Sequence, residues 1–247
     1  MEYKTQHIDP FIKFDHNHWV KLEHLARYIF AKDIISDYFG RNGSKVLDLG
    51  CGNGYGTSIL AEVTSRCLAV DINNEALQEG KKQYQSSEIS YRNIDLNKPG
   101  NNIAKIWGEK NFEVVVSFEV LEHLVDPKRI VREIYNLIGE QGYFIVSVPN
   151  EKFESLDSNG NPKNPFHRQA FNLDRLKELM QENGFQIQNY YGQAQTHSNL
   201  IQNKENKLVD KDLLTRKEKL DIAREYAYPC QDDIDSSYSI IAIAKKI

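Results

Sequence analysis

The chain has 247 residues, 40% hydrophobic and 27% charged, enough to bury a sizeable core under an ordinary charged surface. A formal charge of -4 lacks the basic excess of a general nucleic-acid surface, and no run approaches the ~20 apolar residues of a transmembrane helix. Cys51, Cys67 and Cys230 are odd in number and at no metal-ligand spacing, and no apolar signal segment opens the chain. A soluble protein of the reducing cytoplasm is expected.

Residues 1–16 read as irregular. From Trp19 to Phe39 apolar residues, among them Leu22, Leu25, Ala26, Ile29 and Ile35, fall at helical spacing until Gly40 and Gly43 stop the pattern. Short apolar strands and helices then alternate. Strands are predicted at 45–50, 67–71, 89–94, 112–118 and 143–148, with helices from Gly54 through Val63, at 74–84 and at 127–138. Near-continuous apolar strands joined by helical crossovers predict an α/β, doubly wound, mostly parallel sheet. Beyond Pro149 the pattern changes to a polar loop at 151–165, a helix at 173–182 and a sixth strand at 185–191. A polar stretch at 192–237, with a helix near 213–226, precedes a seventh strand at 238–244. This late insertion is too short for a separate domain.

The most informative stretch is Lys45-Val46-Leu47-Asp48-Leu49-Gly50-Cys51-Gly52-Asn53-Gly54, a strand running into alternating glycines. Such a turn lets backbone approach a ligand closely, and Asp71 closes the next apolar run. An adenosine-containing cofactor at the carboxyl edge of the sheet is the expectation. The Asp71 carboxylate suits a ribose diol, which a dinucleotide enzyme would also present, but the glycines lack the dinucleotide spacing. Asp95 can accept from an exocyclic adenine amine while the Leu96 backbone meets the ring edge, or Asp95-Leu96-Asn97 is simply a turn.

These residues, with Phe118-Glu119-Val120-Leu121-Glu122-His123 and Ser147-Val148-Pro149-Asn150, resemble the class I, S-adenosylmethionine-dependent methyltransferases. Asn164-Pro165-Phe166-His167, followed by Phe171, is similar more loosely to methyltransferases of bacterial polysaccharide and sugar pathways. The resemblance implies one Rossmann-like methyltransferase domain over 1–247. Within it lie an N-terminal helical cap at 1–42, a cofactor-binding core at 43–150, and acceptor-side loops and C-terminal strands at 151–247.

The resemblance also implies roles. Gly50, Cys51, Gly52 and Gly54 approach the methionine portion of S-adenosyl-L-methionine, and Asp48 takes its ammonium directly or through water. Tyr55 covers the methionine end or packs at a helix start, Ile72 packs on the adenine edge, and Phe118 and Glu119 lie under the sulfonium. His123 is a candidate base, or half of a structural pair with Glu122. His167 is a candidate base or acceptor contact, Arg168 an anchor for phosphate or carboxylate, and Phe166 and Asn150 further acceptor contacts. His18 and Trp19, near His7 and His16, are candidate lid residues without the partners of a metal site. The acidic run 232–235 reads as a solvated turn.

The implied reaction is one in-line displacement needing no metal, with S-adenosyl-L-homocysteine as product. The preferred acceptor is a small hydroxylated molecule such as a sugar or a phosphate-bearing carbohydrate intermediate. N- or C-methylation of another metabolite is the alternative, and non-catalytic cofactor binding a more distant one. No nucleic-acid or membrane partner is expected, and a homodimer stays open.

Overall fold

The computed structural model describes residues 9–11, 18–41, 43–98, 111–193, 214–232 and 234–247. The elements run α1 (His18–Phe39), β1 (Lys45–Leu49), α2 (Tyr55–Leu60), β2 (Arg66–Asp71), α3 (Asn74–Gln83), β3 (Ile89–Asn93) and β4 (Phe112–Phe118). There follow α4 (Pro127–Leu137), β5 (Ile138–Pro149), α5 (Leu173–Gln181), β6 (Phe185–Gln193), α6 (Arg216–Ala227) and β7 (Ser239–Lys246). One seven-stranded sheet has the order β3-β2-β1-β4-β5-β7-β6. Strand β7 is antiparallel to both neighbours and the other pairs are parallel. This is the doubly wound, Rossmann-like sheet expected, with a helix ahead of it and a late hairpin closing it.

Period-two alternation divides the strand residues between two cores. Leu47, Leu49, Val115, Phe144 and Val146 face α4 and α5, where they join Ile130, Ile134, Leu176 and Met180. Val46, Val114, Val116, Ile145, Ile241 and Ile243 face α1, α2 and α6, where they join Leu25, Ile29, Ile59 and Ala223. Burial on both faces is why the strands read as continuous apolar runs.

Helix starts follow from side chains that satisfy the first free N–H groups. Asn73, Asp126 and Asn172 accept from Ala76, Arg129 and Arg175, and Thr215 with Glu218 forms a capping box. Two elements differ from the sequence expectation. Helix α2 stops at Leu60, and Val63 lies in a turn that ends as the Ser65 N–H donates to Ser44 O. Strand β5 starts at Ile138, five residues before Tyr143, because a register shift against β4 between Phe112 and Val114 takes up extra residues, with Gln141 at φ 64°. Gly139 and Gly142 obscured that strand's apolar pattern. No helix among the described residues is long and apolar enough to cross a membrane.

Asp48 sits in this core, fully buried, and accepts from Tyr28 Oη (3.1 Å) of α1 and Thr57 Oγ1 (2.5 Å) of α2. Burial pushes its carboxyl up to about 7, against the lowering effect of both donors. The folded state therefore holds a proton that the unfolded chain releases near pH ~3.9, so stability falls as pH rises from about 4 to 7. Asp48→Asn should lose less stability across that window than wild type, by roughly 2 to 4 kcal/mol in urea unfolding compared at the two ends. Parallel pH dependence in the two proteins would contradict this.

Candidate active site

In an open α/β sheet a ligand crevice forms where neighbouring strands send their connections to opposite sides. Here that point lies between β1 and β4. The turn after β1 is held down by Gly50 and Cys51 N–H groups, both donating to Val70 O, and by Gly52 N–H donating to Asp71 Oδ2 (2.8 Å). Gly50 has φ 77°, and a β-carbon there would stand 2.2 Å from Val120 Cγ2. Only glycine permits this approach of the β1 and β4 turns.

Above them opens a cleft of about 1010 Å³. Gly50, Cys51, Gly52, Tyr55, Asp71, Ile72, Asp95, Leu96, Phe118 and Glu119 line one part, and His123, Phe166, His167 and Arg168 another. Three predicted residues lie elsewhere. Asp48 is beneath the turn, both of its oxygens taken by Tyr28 and Thr57. Gly54, at φ 80°, starts α2 and is backed by the Tyr91 ring, 2.6 Å from where its β-carbon would be. Asn150 is buried and donates from Nδ2 to Ser237 O (2.9 Å) and Asp235 O (3.3 Å), fastening the approach to β7 instead of reaching the cleft. His18 and Trp19 open α1, but their side chains, like His7 and His16, lie outside the described residues.

The floor beside Phe118 is polar, with Arg27 buried and Glu119 half-buried. Glu119 adopts φ 55° at the end of β4; its Oε1 accepts from Ser147 Oγ (2.7 Å) and meets Arg27 Nη1 at 3.0 Å. Arg27, 3% exposed, also donates to Ser239 Oγ (3.1 Å), so one guanidinium links α1, β4 and β7. Nearby, burial raises the Glu23 carboxyl to about 7, opposed by Arg27, and holds His24 well below the usual histidine range. His24 Nδ1 lies 3.2 Å from Tyr55 Oη at the cleft wall.

Facing this floor are two imidazoles, 5.0 Å apart between centroids. His123 Nδ1 is 2.9 Å from Phe166 O, and its Nε2 is 3.6 Å from Glu122 Oε1. Burial lowers the His123 value, opposed by the Phe166 carbonyl. Burial, with Glu119 nearby, raises Glu122 well above the carboxylate range. His167 Nδ1 is hydrogen-bonded to Glu154 Oε1. The Arg168 and Gln169 N–H groups donate to Glu122 O, and Asn97 bonds both the His123 carbonyl and the Val125 N–H, so the segment bearing His123 is fixed from two sides. Sequence reasoning missed Arg27, His24 and Glu154. The first two sit in a helix with no motif, and Glu154 lies in a polar loop where nothing marks it as the partner of His167.

Residues 21–190 match the family described as "Methyltransferase domain". A probable S-adenosylmethionine-dependent methyltransferase of Mycolicibacterium smegmatis is 31% identical over 151 residues, 61% of this chain and 55% of that protein. A ubiquinone biosynthesis O-methyltransferase of Actinobacillus pleuropneumoniae is 30% identical over 118 residues, 47% of this chain and 50% of that one. The match thus spans about half the length of each relative. Among solved structures, the magnesium protoporphyrin IX methyltransferase of Synechocystis, crystallised with bound SAH, superposes with a TM-score of 0.60. It is 14% identical and covers 95% of this chain and 89% of its own, a likeness of fold.

Removing the buried Arg27 guanidinium leaves the half-buried Glu119 carboxylate uncompensated and Ser239 without its donor. Arg27→Met is expected to cost about 3–5 kcal/mol in chemical unfolding, with part of the loss recovered in the Arg27→Met/Glu119→Gln double variant. Additive losses would show that the pair is not coupled.

Proposed function

The chain belongs to the methyltransferase-domain family of the class I, S-adenosylmethionine-dependent superfamily, and from that premise we propose that it methylates a small hydroxylated molecule. The observation that carries this reading is the continuity of one cleft from Asp71 and Asp95 to His123 and His167. Its residues suit the cofactor chemically. Ile72, 41% exposed, is an apolar side chain left uncovered beside the Asp71 carboxylate, as a purine nucleoside with hydroxyl donors requires. In this proposal Asp71 accepts from the ribose, Asp95 from the adenine amine, and the Gly50–Gly52 backbone meets the methionine end.

When bound, S-adenosyl-L-methionine supplies an electrophilic methyl on a positively charged sulfur. The chain contributes alignment and exclusion of water, with Phe118 and Tyr55 as walls. As the acceptor oxygen gains the methyl, its proton passes to His167 Nε2, whose ring is oriented through Nδ1 by Glu154. Arg168, exposed at the rim, is the anchor for a phosphate or carboxylate. The carbohydrate acceptor rests on the Asn164–Arg168 loop and on that guanidinium.

Calorimetry should detect binding of S-adenosyl-L-methionine and S-adenosyl-L-homocysteine but not NAD, and Asp71→Ala should weaken it at least about tenfold, the equivalent of ~1.4 kcal/mol. A folded protein that binds neither sulfur nucleotide would refute the proposal. With an acceptor found among phosphorylated and nucleotide-linked sugars, His167→Ala should lower kcat by about 10²–10⁴. An unchanged kcat would remove His167 as the base.

A further inference from the structure

We propose that Glu122, His123 and His167 form a divalent-cation site at the acceptor side of the cleft, with Glu154 as its outer carboxylate. One donor atom from each of the three lies within 4.8 Å of the other two. Ligands about 2.1 Å from one ion stand at most roughly 4.2 Å apart, so the widest pair has to close by about half an ångström. Side chains bordering an open cleft can make that adjustment.

The arrangement of protons and lone pairs agrees with this. Phe166 O only accepts, so His123 Nδ1 carries the hydrogen and Nε2 the lone pair, directed toward Glu122 Oε1 at 3.6 Å. Glu154 accepts in the same way from His167 Nδ1, which leaves the lone pair of that ring also on Nε2. Among the described residues no donor hydrogen-bonds to either Nε2. An imidazole whose far nitrogen is held by a carboxylate or a backbone carbonyl is the arrangement that orients metal-binding histidines.

An independent observation concerns Glu122. It is 1% exposed yet reaches the cleft wall, and its Oε2 has no hydrogen-bond partner among the described residues. A buried carboxylate oxygen without a donor is costly unless something positive meets it. A purely structural cluster would turn these acceptors toward N–H or O–H groups. Here His123 Nε2, His167 Nε2 and Glu122 Oε2 have no donor among the described residues.

Two imidazole nitrogens and one carboxylate oxygen suit a borderline ion such as Mn²⁺, Fe²⁺, Co²⁺ or Zn²⁺ better than Mg²⁺ or Ca²⁺, which take oxygen sets. Three protein ligands leave positions open toward the cleft, where an acceptor with two adjacent oxygens can chelate. That role for the ion rests on the methyl-transfer reading; its binding does not. In the loaded protein both Nε2 lone pairs are occupied, so the cation would take over the role given to His167 as base in the metal-free reading. The acceptor hydroxyl, acidified by the cation, would give its proton to solvent and keep the electron pair that attacks the methyl, while the carbon–sulfur pair stays on sulfur.

The test is a titration of the metal-stripped full chain with Co²⁺, followed by visible d–d absorption. The expected result is one saturable ion per chain, lost in His167→Ala and weakened about 10- to 100-fold in Glu154→Gln. Circular dichroism reports folding, and calorimetry with S-adenosyl-L-homocysteine reports the cofactor side of the cleft in the same samples. Absence of saturable Co²⁺ binding by the folded protein would overturn the site, as would binding that survives both substitutions. Co²⁺ binding without S-adenosyl-L-homocysteine binding would uphold the site and overturn the methyl-transfer reading.

Discussion

The contact on which the site depends is the approach of the β1 and β4 turns. At Gly50 there is no room for a β-carbon, since Val120 Cγ2 already occupies its place. Because the turns touch, the residues after each strand open into one cleft instead of two shallow grooves. Val120 is followed directly by the Leu121–His123 turn, so the packing that seats Gly50 also sets the position of His123. A larger residue at position 50 would separate the two turns, and with them the two parts of the cleft.

Polar groups cross-link the floor. Glu119 pairs with Arg27 and Ser147, and Arg27 continues to Ser239, so the mouth of the sheet is cross-linked from the first helix to the last strand. Buried charge of this kind adds little net stability, because desolvation offsets most of the attraction. What it contributes is position. Glu119 is held at φ 55°, a conformation that a non-glycine residue adopts only when its surroundings over-determine it.

Much of the architecture was legible because strand burial is local. The apolar runs read at 45–50 and 112–118 leave direct marks in the chain and form β1 and β4. The residues expected on the cofactor side lie within a residue or two of a strand end, where position in the chain sets position in space, and Asp71, Asp95 and Glu119 do line one cleft. Other placements are decided by three-dimensional packing. Asp48 stands two residues before a glycine turn, and strand alternation turns its carboxyl inward to Tyr28 and Thr57, beneath the cleft. Asn150 ends a strand at the same edge, and the return of β7 claims its amide. The pairing of Glu154 with His167, and of both with His123, depends on how the 151–168 loop folds over the sheet, and no periodicity records that.

The charge of the cleft follows from these placements. Asp71 and Glu119 face its cofactor side, where Arg27 pairs with Glu119, and Arg168 faces the acceptor side. Carboxylates on the cofactor side favour a cationic ligand there over a neutral one of the same shape. For the proposed cofactor that preference has a direction, because the sulfonium loses its charge when the methyl leaves. Attraction that helps to seat the substrate form therefore weakens in the product form, and the acidic lining aids release without any movement of the chain. The buried Glu122 stands apart from this: it lies on the acceptor side, and its Oε2, without a hydrogen-bond partner among the described residues, is where the proposed cation would sit. Two separate demands for positive charge, one at each part of the cleft, are what a methyl donor and a cation-held acceptor would jointly satisfy.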